Sequence, residues 1–284
     1  MRSNMRIDQI SGEIKAFPAM PGAALKLMTL ADAPGTTIQQ IEDILRQDSG
    51  LTANLLKLAN SAYFGIPSRV GSVRQALMLL GLKRLVQLVV ATCASAIIDR
   101  GVPGYDLPAG ELWRHSLAVS VAAKGLAGEL KLQAADEIFT AGLLHDVGKL
   151  ILGQFVQDDY PQIESALAQG MAFEAAEKVV IGIDHAEIGA HVLAQWALPD
   201  NIVQAVRWHH APEECEHIDV MLDVVHVANM LCLMIGIGVG REGLLHEPSQ
   251  LVTRRLGLEP PHLEKVASQT LQWVNELSQA LATA

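Results

Sequence analysis

The length, composition and charge of the chain exclude several classes of protein. Its 284 residues are 50% hydrophobic and only 4% aromatic, so extensive disorder is excluded and a large aliphatic core of packed helices is expected. The formal net charge of -10, from 21 Lys and Arg against 31 Asp and Glu, argues against bulk nucleic-acid binding, which needs a basic surface.

Cysteine usage and hydropathy indicate a cytoplasmic protein without a membrane segment. Three widely spaced cysteines, Cys93, Cys215 and Cys232, fit neither a disulfide framework nor a zinc ribbon. Residues 1–10 lack the apolar run of a signal peptide. Residues 224–240 are the most hydrophobic stretch, but polar side chains interrupt them and they are too short to span a bilayer, so we expect a core helix there.

The first part of the chain predicts short amphipathic helices separated by helix-breaking residues. One helix begins after Pro21 and stops at Ala33–Pro34–Gly35. The next opens with a capping-box pattern at Thr37 and Gln40 and continues to Leu45. No alternation typical of β-strands interrupts this series, so the sequence predicts an all-α fold.

The series of short amphipathic helices continues to residue 98. A third helix runs from Leu51 to near Tyr63, and Ser72 opens a fourth with the capping pattern repeated. Gly81 ends that helix before a longer one resumes over residues 82–98. Further helices are predicted at about 110–129, 135–145, 149–157, 161–169, 172–180, 184–196, 200–210, 219–236 and 260–282.

A cluster of helix-breaking residues predicts the main domain boundary. Two Gly and two Pro fall within residues 101–108, which suits neither helix nor sheet. We therefore expect an N-terminal helical subdomain over residues 1–105, packed on a helical core over residues 106–240, with a C-terminal helical extension over residues 241–284.

The stretch from Leu143 to Lys149 is the strongest candidate for chemistry. His145 and Asp146 stand at the end of an apolar run, with Gly148 available to relieve backbone crowding. An unpaired buried polar group costs several kcal/mol, so this pair must find a proton, a partner or a cation. Metal ligation is one interpretation, and a His–Asp hydrogen bond that fastens two helices is the other.

Other histidines can join this pair. His115 shares a helix face with apolar residues, and His185 follows a predicted N-cap at Asp184. His209 and His210 end a helix, where only a splayed terminal turn lets both face one site, so we expect one of them to be a ligand. Each of these has a plain alternative as a hydrogen-bonded core or helix-end residue. His191, His217, His226 and His246 match none of these motifs and are left outside the predicted site.

The order of these motifs resembles the HD superfamily of metal-dependent phosphohydrolases, and most of all its branch that cleaves cyclic dinucleotides. The resemblance implies metal ligands at His115, His145, Asp146, His185, His209 and His210. It also implies that Lys149 helps to bind the scissile phosphate, although a lysine in the first turn of a helix can equally point into solvent.

The N-terminal half is similar to the HDOD family, the HD-related output domain of bacterial signalling proteins. The matching blocks are residues 17–21, 41–48, 51–65 and 72–81, in family order from about residue 14 to 235. The family usually has Asp-Pro where this chain has Asp48–Ser49–Gly50. The resemblance implies an output module downstream of sensory domains, one that reports through contacts with signalling proteins and usually lacks demonstrated catalysis.

Two departures weigh against hydrolysis. Active HD enzymes supply a second carboxylate from a late helix, and the matching residue here is Asn229. Asp146 alone leaves one divalent ion at a net +1 and two at +3, and a missing anion at about 4 Å is worth roughly 4 kcal/mol at an effective dielectric of about 20. The Gly-Tyr-Pro tripeptide of the dinucleotide-cleaving branch is also absent after His210. The sequence therefore favours a single Fe, Ni or Zn ion.

Three functional hypotheses follow. The leading one is a non-catalytic signalling output module with a degenerate metal or ligand cleft. The alternative is a metal-dependent phosphohydrolase in which Asp146 and Lys149 are catalytic. The third is a sensor that binds a nucleotide ligand without turnover.

Overall fold

Helices account for the regular structure of the chain. The computed structural model describes residues 2–241 and 248–282, and over these ranges it contains no strand, only an isolated bridge between Val102 and Leu107. The helices are α1 Arg2–Ala16, α2 Gly22–Asp32, α3 Ile38–Leu45, α4 Ser49–Ala59, α5 Val73–Leu80, α6 Leu82–Ile98, α7 Glu111–Glu129, α8 Ala135–Leu144, α9 Lys149–Asp158, α10 Tyr160–Leu167, α11 Phe173–Ile181, α12 His185–Gln195, α13 Asp200–Trp208, α14 Val220–Met234, α15 Gln250–Leu256 and α16 Pro260–Ala282. Short 3₁₀ turns lie at Ala62–Phe64 and Pro103–Tyr105. The prediction of an all-α fold is confirmed.

The predicted caps explain why several helices begin where they do. At α3, the Thr37 hydroxyl accepts from the Gln40 N–H at 3.3 Å and the Gln40 side chain accepts from the Thr37 N–H at 2.8 Å, which completes the capping box. At α5, Ser72 accepts from the N–H of Gln75, but the Gln75 side chain accepts from Gly71 instead of from Ser72. The polar residues before these helices therefore fix their first turns.

Two helices were not predicted. Helix α1 is strongly polar, and its apolar signal is limited to Ile7, Ile10 and Ile14 at helical spacing. It packs on α9 and α12, its Ile10 is buried, and Arg6 pairs with Asp159. Helix α15 is short, with Ser249 as its N-cap, and Arg255 on it forms a two-pronged ion pair with the buried Asp223 of α14. Tertiary contacts rather than sequence periodicity stabilise both.

Two lobes share one hydrophobic core. Helices α2–α6 form the N-terminal lobe, and α6 packs against α8 of the C-terminal lobe, which α7–α15 form. Helix α16 packs along α7 and also touches α4, so the C-terminal helix bridges both lobes. The predicted arrangement of an N-terminal multi-helix unit packed on a helical core is confirmed. None of the described helices is both long and apolar enough to cross a membrane, and α14 is a buried core helix.

The predicted linker is a packed segment. Gly104 in the 3₁₀ turn lies so close to α9 that a Cβ there would come within 1.9 Å of the Gly153 carbonyl oxygen. The next residue, Tyr105, is 0% exposed. The break in helical structure is therefore where the sequence placed it, while the domain boundaries at residues 105 and 240 stay a prediction.

Candidate metal centre

Four separate pieces of the C-terminal lobe place the predicted ligands around one carboxylate. His115 lies on α7, the pair His145–Asp146 ends α8, and His185 opens α12. His209 and His210 follow α13. All six side chains that were predicted as ligands meet at Asp146, although they are up to 95 positions apart in the sequence (210 − 115).

The ligand atoms divide into two groups that share Asp146. Oδ2 of Asp146 lies 3.2 Å from His145 Nε2 and 3.5 Å from His115 Nε2. Oδ1 lies 3.4 Å from His185 Nε2 and 3.7 Å from His209 Nε2. His210 Nε2 is 2.9 Å from His185 Nε2, and the ligand atoms within each group lie within 4.8 Å of one another. The three-donor group is His115, His145 and Asp146, and the four-donor group is Asp146, His185, His209 and His210.

The expectation that only one of His209 and His210 reaches the site is replaced by a stronger finding. Helix α13 ends at Trp208, and the following turn splays the two rings so that both join the four-donor group. Their ring centroids are 4.1 Å apart. A regular helix would have set them about 100° apart.

Backbone carbonyls fix the orientation of three of the rings. Nδ1 lies 2.7 Å from the Gly142 carbonyl in His145, 2.7 Å from the Val206 carbonyl in His209, and 2.9 Å from the Ile237 carbonyl in His115. Because a carbonyl oxygen can only accept, Nδ1 carries the proton in each neutral ring and Nε2 presents a lone pair. The lone pairs therefore face the shared carboxylate.

Several of these ligand atoms lack a partner although they are buried. Among the residues that the structure describes, His145 Nε2, His209 Nε2 and Asp146 Oδ1 find no hydrogen-bond partner, while the three residues are 0% exposed. Buried polar atoms in folded proteins are nearly always satisfied, and each exception asks for an explanation. A divalent cation is the group that would satisfy two imidazole nitrogens and a carboxylate oxygen together, so these residues fit a metal ion.

The charges within the cluster suit metal binding. Burial raises the pKa of the Asp146 carboxyl, but the charges of His145 and Lys149 outweigh it and hold that pKa well below its usual range. Burial and neighbouring imidazoles lower the pKa values of His209 and His210. Burial also disfavours the charged form of His185, yet Glu177 and Asp146 outweigh it and raise its pKa. Near pH 7 Asp146 is therefore anionic and His209 and His210 are neutral, the forms that bind metals, whereas His185 holds a proton that a metal ion would displace from Nε2.

Lys149 points into the cluster and not into solvent. Its Nζ donates to Asp146 Oδ2 at 2.8 Å, it lies 5.4 Å from the centre of the Tyr105 ring, and the residue is 2% exposed. The glycine before it makes this approach feasible, because a Cβ at Gly148 would lie 1.9 Å from the His185 carbonyl oxygen. The predicted role of Gly148 in relieving backbone crowding agrees with this contact.

Asn229 lies where the resemblance places a second carboxylate. Its side-chain oxygen Oδ1 lies 3.0 Å from His115 Nε2, the nitrogen that would face an ion in the three-donor group. The Ile237 carbonyl accepts from Nδ1 of His115, so in a neutral ring Nε2 carries no proton to give to Oδ1 of Asn229. In that ring the amide of Asn229 is turned over, so that its nitrogen donates to Nε2. Within the part of the chain that the structure describes, Asp146 is the only carboxylate in either group.

Glu177 was not among the residues predicted from the sequence. This residue of α11 is 0% exposed, and its carboxylate accepts from both the backbone N–H and the ring Nδ1–H of His185. A signal was present, since Glu177 falls on the same helix face as the buried residues Phe173, Ala176 and Ile181. A carboxylate on an apolar face predicts a buried partner.

The histidines left outside the predicted site lie outside both groups, as far as the structure describes them. His191 and His217 are exposed. His226 is buried and satisfied, because its Nδ1 donates to the His209 carbonyl at 2.8 Å and its Nε2 accepts from the Ser249 N–H at 3.1 Å. His246 falls outside the described residues.

A helical fold with a His–Asp cluster at its centre is the HD type of protein. Comparison of the sequence with family models then identifies the family within this type. The family model for the HDOD domain matches residues 17–212, more than half of the chain. The chain therefore belongs to the HDOD family, a divergent branch of the HD superfamily.

Solved structures share this fold over nearly the whole chain. An HDOD domain protein of Geobacter sulfurreducens is 25% identical with a TM-score of 0.74, covering 98% of this chain and 97% of its own. A protein of Shewanella amazonensis SB2B, described as a candidate phosphohydrolase, is 23% identical with a TM-score of 0.73, covering 96% and 97%. A candidate signal transduction protein of Marinobacter aquaeolei VT8 is 19% identical with a TM-score of 0.73, covering 99% and 67%. At these last two identities the likeness concerns the fold alone.

A curated relative is much longer than this chain. An uncharacterised protein of Treponema pallidum (strain Nichols) is 28% identical over 229 residues, which are 78% of this chain and 43% of the relative. The chain thus spans less than half the length of that relative.

Proposed function

We propose that the chain is a bacterial signal-transduction output module that binds one divalent metal ion, Fe, Ni or Zn, and acts through contacts with signalling proteins rather than by catalysis. The observation that carries the proposal is the contact between Asn229 and His115. It puts a neutral amide at the place where a hydrolytic HD centre has its second anion. A cytoplasmic site of action is part of the same proposal and rests on the dispersed cysteines.

The contact between Asn229 and His115 weakens metal binding by the three-donor group and leaves the four-donor group unaffected. In the three-donor group, Asn229 supplies no charge, and its amide lies against the Nε2 atom of His115. The four-donor group keeps Asp146 with three imidazoles, and it includes the unpartnered atoms His209 Nε2 and Asp146 Oδ1. We therefore assign the ion to the four-donor group, whose nitrogen-rich donor set suits Fe, Ni or Zn.

Burial of the centre argues in the same direction. His115, His145, Asp146, His185 and His209 are all at most 1% exposed, and only His210 is partly exposed. Catalytic metal sites keep an open position for substrate, whereas structural sites are closed by protein ligands.

A bound ion would join helices that the sequence keeps apart. The four-donor group draws its ligands from the end of α8, the start of α12 and the turn after α13. A metal ion that binds only the folded chain stabilises it, by an amount that grows with the logarithm of the metal concentration once this exceeds Kd. Helix α8 also contacts α6 of the N-terminal lobe, so a change at its end can reach the packing between lobes and the surface that a partner contacts.

Metal analysis combined with an activity assay tests the proposal. Protein purified without a chelator is analysed for Fe, Ni and Zn, and then assayed on cyclic dinucleotides and a generic phosphodiester. The proposal predicts one ion per chain, loss of that ion in His209→Ala, its retention in His115→Ala, and no turnover. Turnover that disappears in His145→Ala would instead establish a phosphohydrolase, and wild-type protein that takes up no metal would remove the metal-binding part.

A second candidate function is phosphohydrolysis. It is favoured by one observation, the approach of Lys149 Nζ to within 2.8 Å of the Asp146 carboxylate between two groups of ligands. When bound, a metal ion would polarise a phosphate and generate hydroxide. On this hypothesis wild-type protein hydrolyses the substrate, and Lys149→Met abolishes this turnover while the metal content is unchanged.

A further inference from the structure

A chain of three buried side chains leads from the predicted domain junction to the metal centre. The Tyr105 hydroxyl donates to Oε1 of Glu177. Oε2 of Glu177 accepts from the Nδ1–H of His185 at 2.7 Å and from the backbone N–H of the same residue at 3.0 Å. Tyr105 and Glu177 are 0% exposed and His185 is 1% exposed. Both oxygens of the Glu177 carboxylate are therefore used within the protein.

The carboxylate makes His185 different from the other rings of the cluster. His115, His145 and His209 are oriented by backbone carbonyls, which are neutral acceptors. His185 is oriented by an anion from a separate helix, α11. With Nδ1–H engaged there, Nε2 points toward Asp146 Oδ1 at 3.4 Å. A carboxylate behind a ligating imidazole fixes the ring and its tautomer and increases its basicity.

Tyr105 connects this pair to the segment between the two lobes. It belongs to the 3₁₀ turn Pro103–Tyr105, and its backbone carbonyl accepts from the N–H of Arg241 at 2.9 Å. Its ring lies 5.4 Å from Lys149 Nζ and stands edge-on to the His185 ring. The turn has little freedom to shift, because Gly104 is in backbone contact with Gly153.

We propose that Glu177, held in place by the Tyr105 hydroxyl, is a positioning residue that sets the orientation and tautomer of His185 and thereby links the junction between the lobes to the four-donor group. The inference deepens the proposed metal-binding function and rests on it for its effect on affinity. Its effect on the ring of His185 stands independently of any metal.

The proposal predicts graded effects on metal affinity. Glu177→Gln removes the charge while keeping an amide oxygen that can accept from Nδ1–H, and Tyr105→Phe removes only the hydroxyl that holds Glu177. Loss of a partner behind a metal ligand typically lowers affinity about 10- to 100-fold. We expect a decrease of that order for Glu177→Gln and a smaller one for Tyr105→Phe. Glu164→Gln on the exposed face of α10 is the matched control and leaves affinity unchanged.

Cobalt(II) titration followed by visible absorption measures the affinity, with a competing chelator to set the scale. Affinity that falls in the order wild type, Tyr105→Phe, Glu177→Gln supports the proposal, provided that circular dichroism shows all three folded. Equal cobalt affinity in wild type and Glu177→Gln overturns it. If Tyr105→Phe alone folds, the same comparison is made with that variant.

A second measurement separates this inference from the proposed function. Long-range ¹H–¹⁵N NMR of the metal-free protein reports which ring nitrogens of His185 carry protons. The proposal predicts a protected Nδ1–H resonance in wild type that shifts or disappears in Glu177→Gln and persists in Glu164→Gln. Wild-type protein that binds no cobalt contradicts the metal centre but leaves this test intact, and an unchanged His185 resonance in Glu177→Gln overturns the positioning role.

Discussion

The side-chain amide of Asn229 lies 3.0 Å from Nε2 of His115, across the space between α14 and α7. A carboxylate at residue 229 would give the three-donor group a second anion. The amide gives it none and lies against a nitrogen that a metal ion would need. This single contact separates the two ligand groups in their capacity to hold an ion.

A carboxylate at residue 229 should allow the three-donor group to bind a metal ion. We expect Asn229→Asp to bind a second metal ion, because a unit charge at about 4 Å from an ion contributes roughly 4 kcal/mol at an effective dielectric of about 20. Affinity for that ion should rise at least tenfold, as measured by chelator competition and metal analysis. Asn275→Asp on the exposed face of α16 is the control. A metal content that does not change in Asn229→Asp would contradict the role assigned to the amide.

The pair Asp146–Lys149 should show strong thermodynamic coupling in metal-free protein. Both residues are at most 2% exposed, and Nζ donates to Oδ2 at 2.8 Å. Removal of one partner from a buried pair leaves an uncompensated charge, which typically costs about 3–5 kcal/mol. We expect Asp146→Asn with Lys149→Met to be less destabilised than the sum of the single variants by more than about 1 kcal/mol. Urea unfolding of the single and double variants in the presence of a chelator measures this coupling energy, and simple additivity would refute the pairing.

Gly148→Ala should damage both the fold and the centre. The new Cβ would lie 1.9 Å from the His185 carbonyl and 2.6 Å from the Gly189 nitrogen, so α9 and α12 must separate. We expect a large fall in melting temperature and loss of bound metal. Gly128→Ala provides the contrast, because a Cβ there meets nothing within 4 Å in the last turn of α7. It should stabilise the chain by about 0.5–1 kcal/mol. Equal stability in the two variants would contradict the close packing.

The cysteines should differ sharply in reactivity. Burial raises the pKa of the Cys93 thiol to about 12 and that of Cys232 higher still, while Cys215 is partly exposed. Since the thiolate is the reacting form, native protein at pH 8 should show one fast thiol toward a chromogenic disulfide, absent in Cys215→Ser. All three should react after unfolding in guanidinium. Two or more fast thiols in the native protein would contradict the buried positions.

Local rules accounted for most of the fold. Thr37, Ser72 and Gly81 begin or end helices where the sequence predicted it, because caps and left-handed glycines act within a few residues. Helices α1 and α15 escaped prediction because their stability depends on distant partners, such as Asp223 for Arg255. The N-terminal lobe and the core were expected to pack, yet their shared hydrophobic core could not be read from spacing alone.

The centre was predictable in composition but not in arrangement. The order of motifs supplied all six residues that the structure brings together, while their division into two groups around Asp146 depends on where helices end in space. The turn after Trp208 that admits both His209 and His210 leaves no distinct mark in the sequence. Glu177 was overlooked although it falls on an apolar helix face, a pattern that can be searched for.

The ratio of metal to protein tests the central claim most directly. Wild-type chain, purified without a chelator and then saturated with zinc or iron and freed of excess, should carry one ion per molecule. A ratio of two in wild-type protein would mean that the three-donor group binds an ion despite Asn229, and it would contradict the claim that the centre is too poor in anions for hydrolysis.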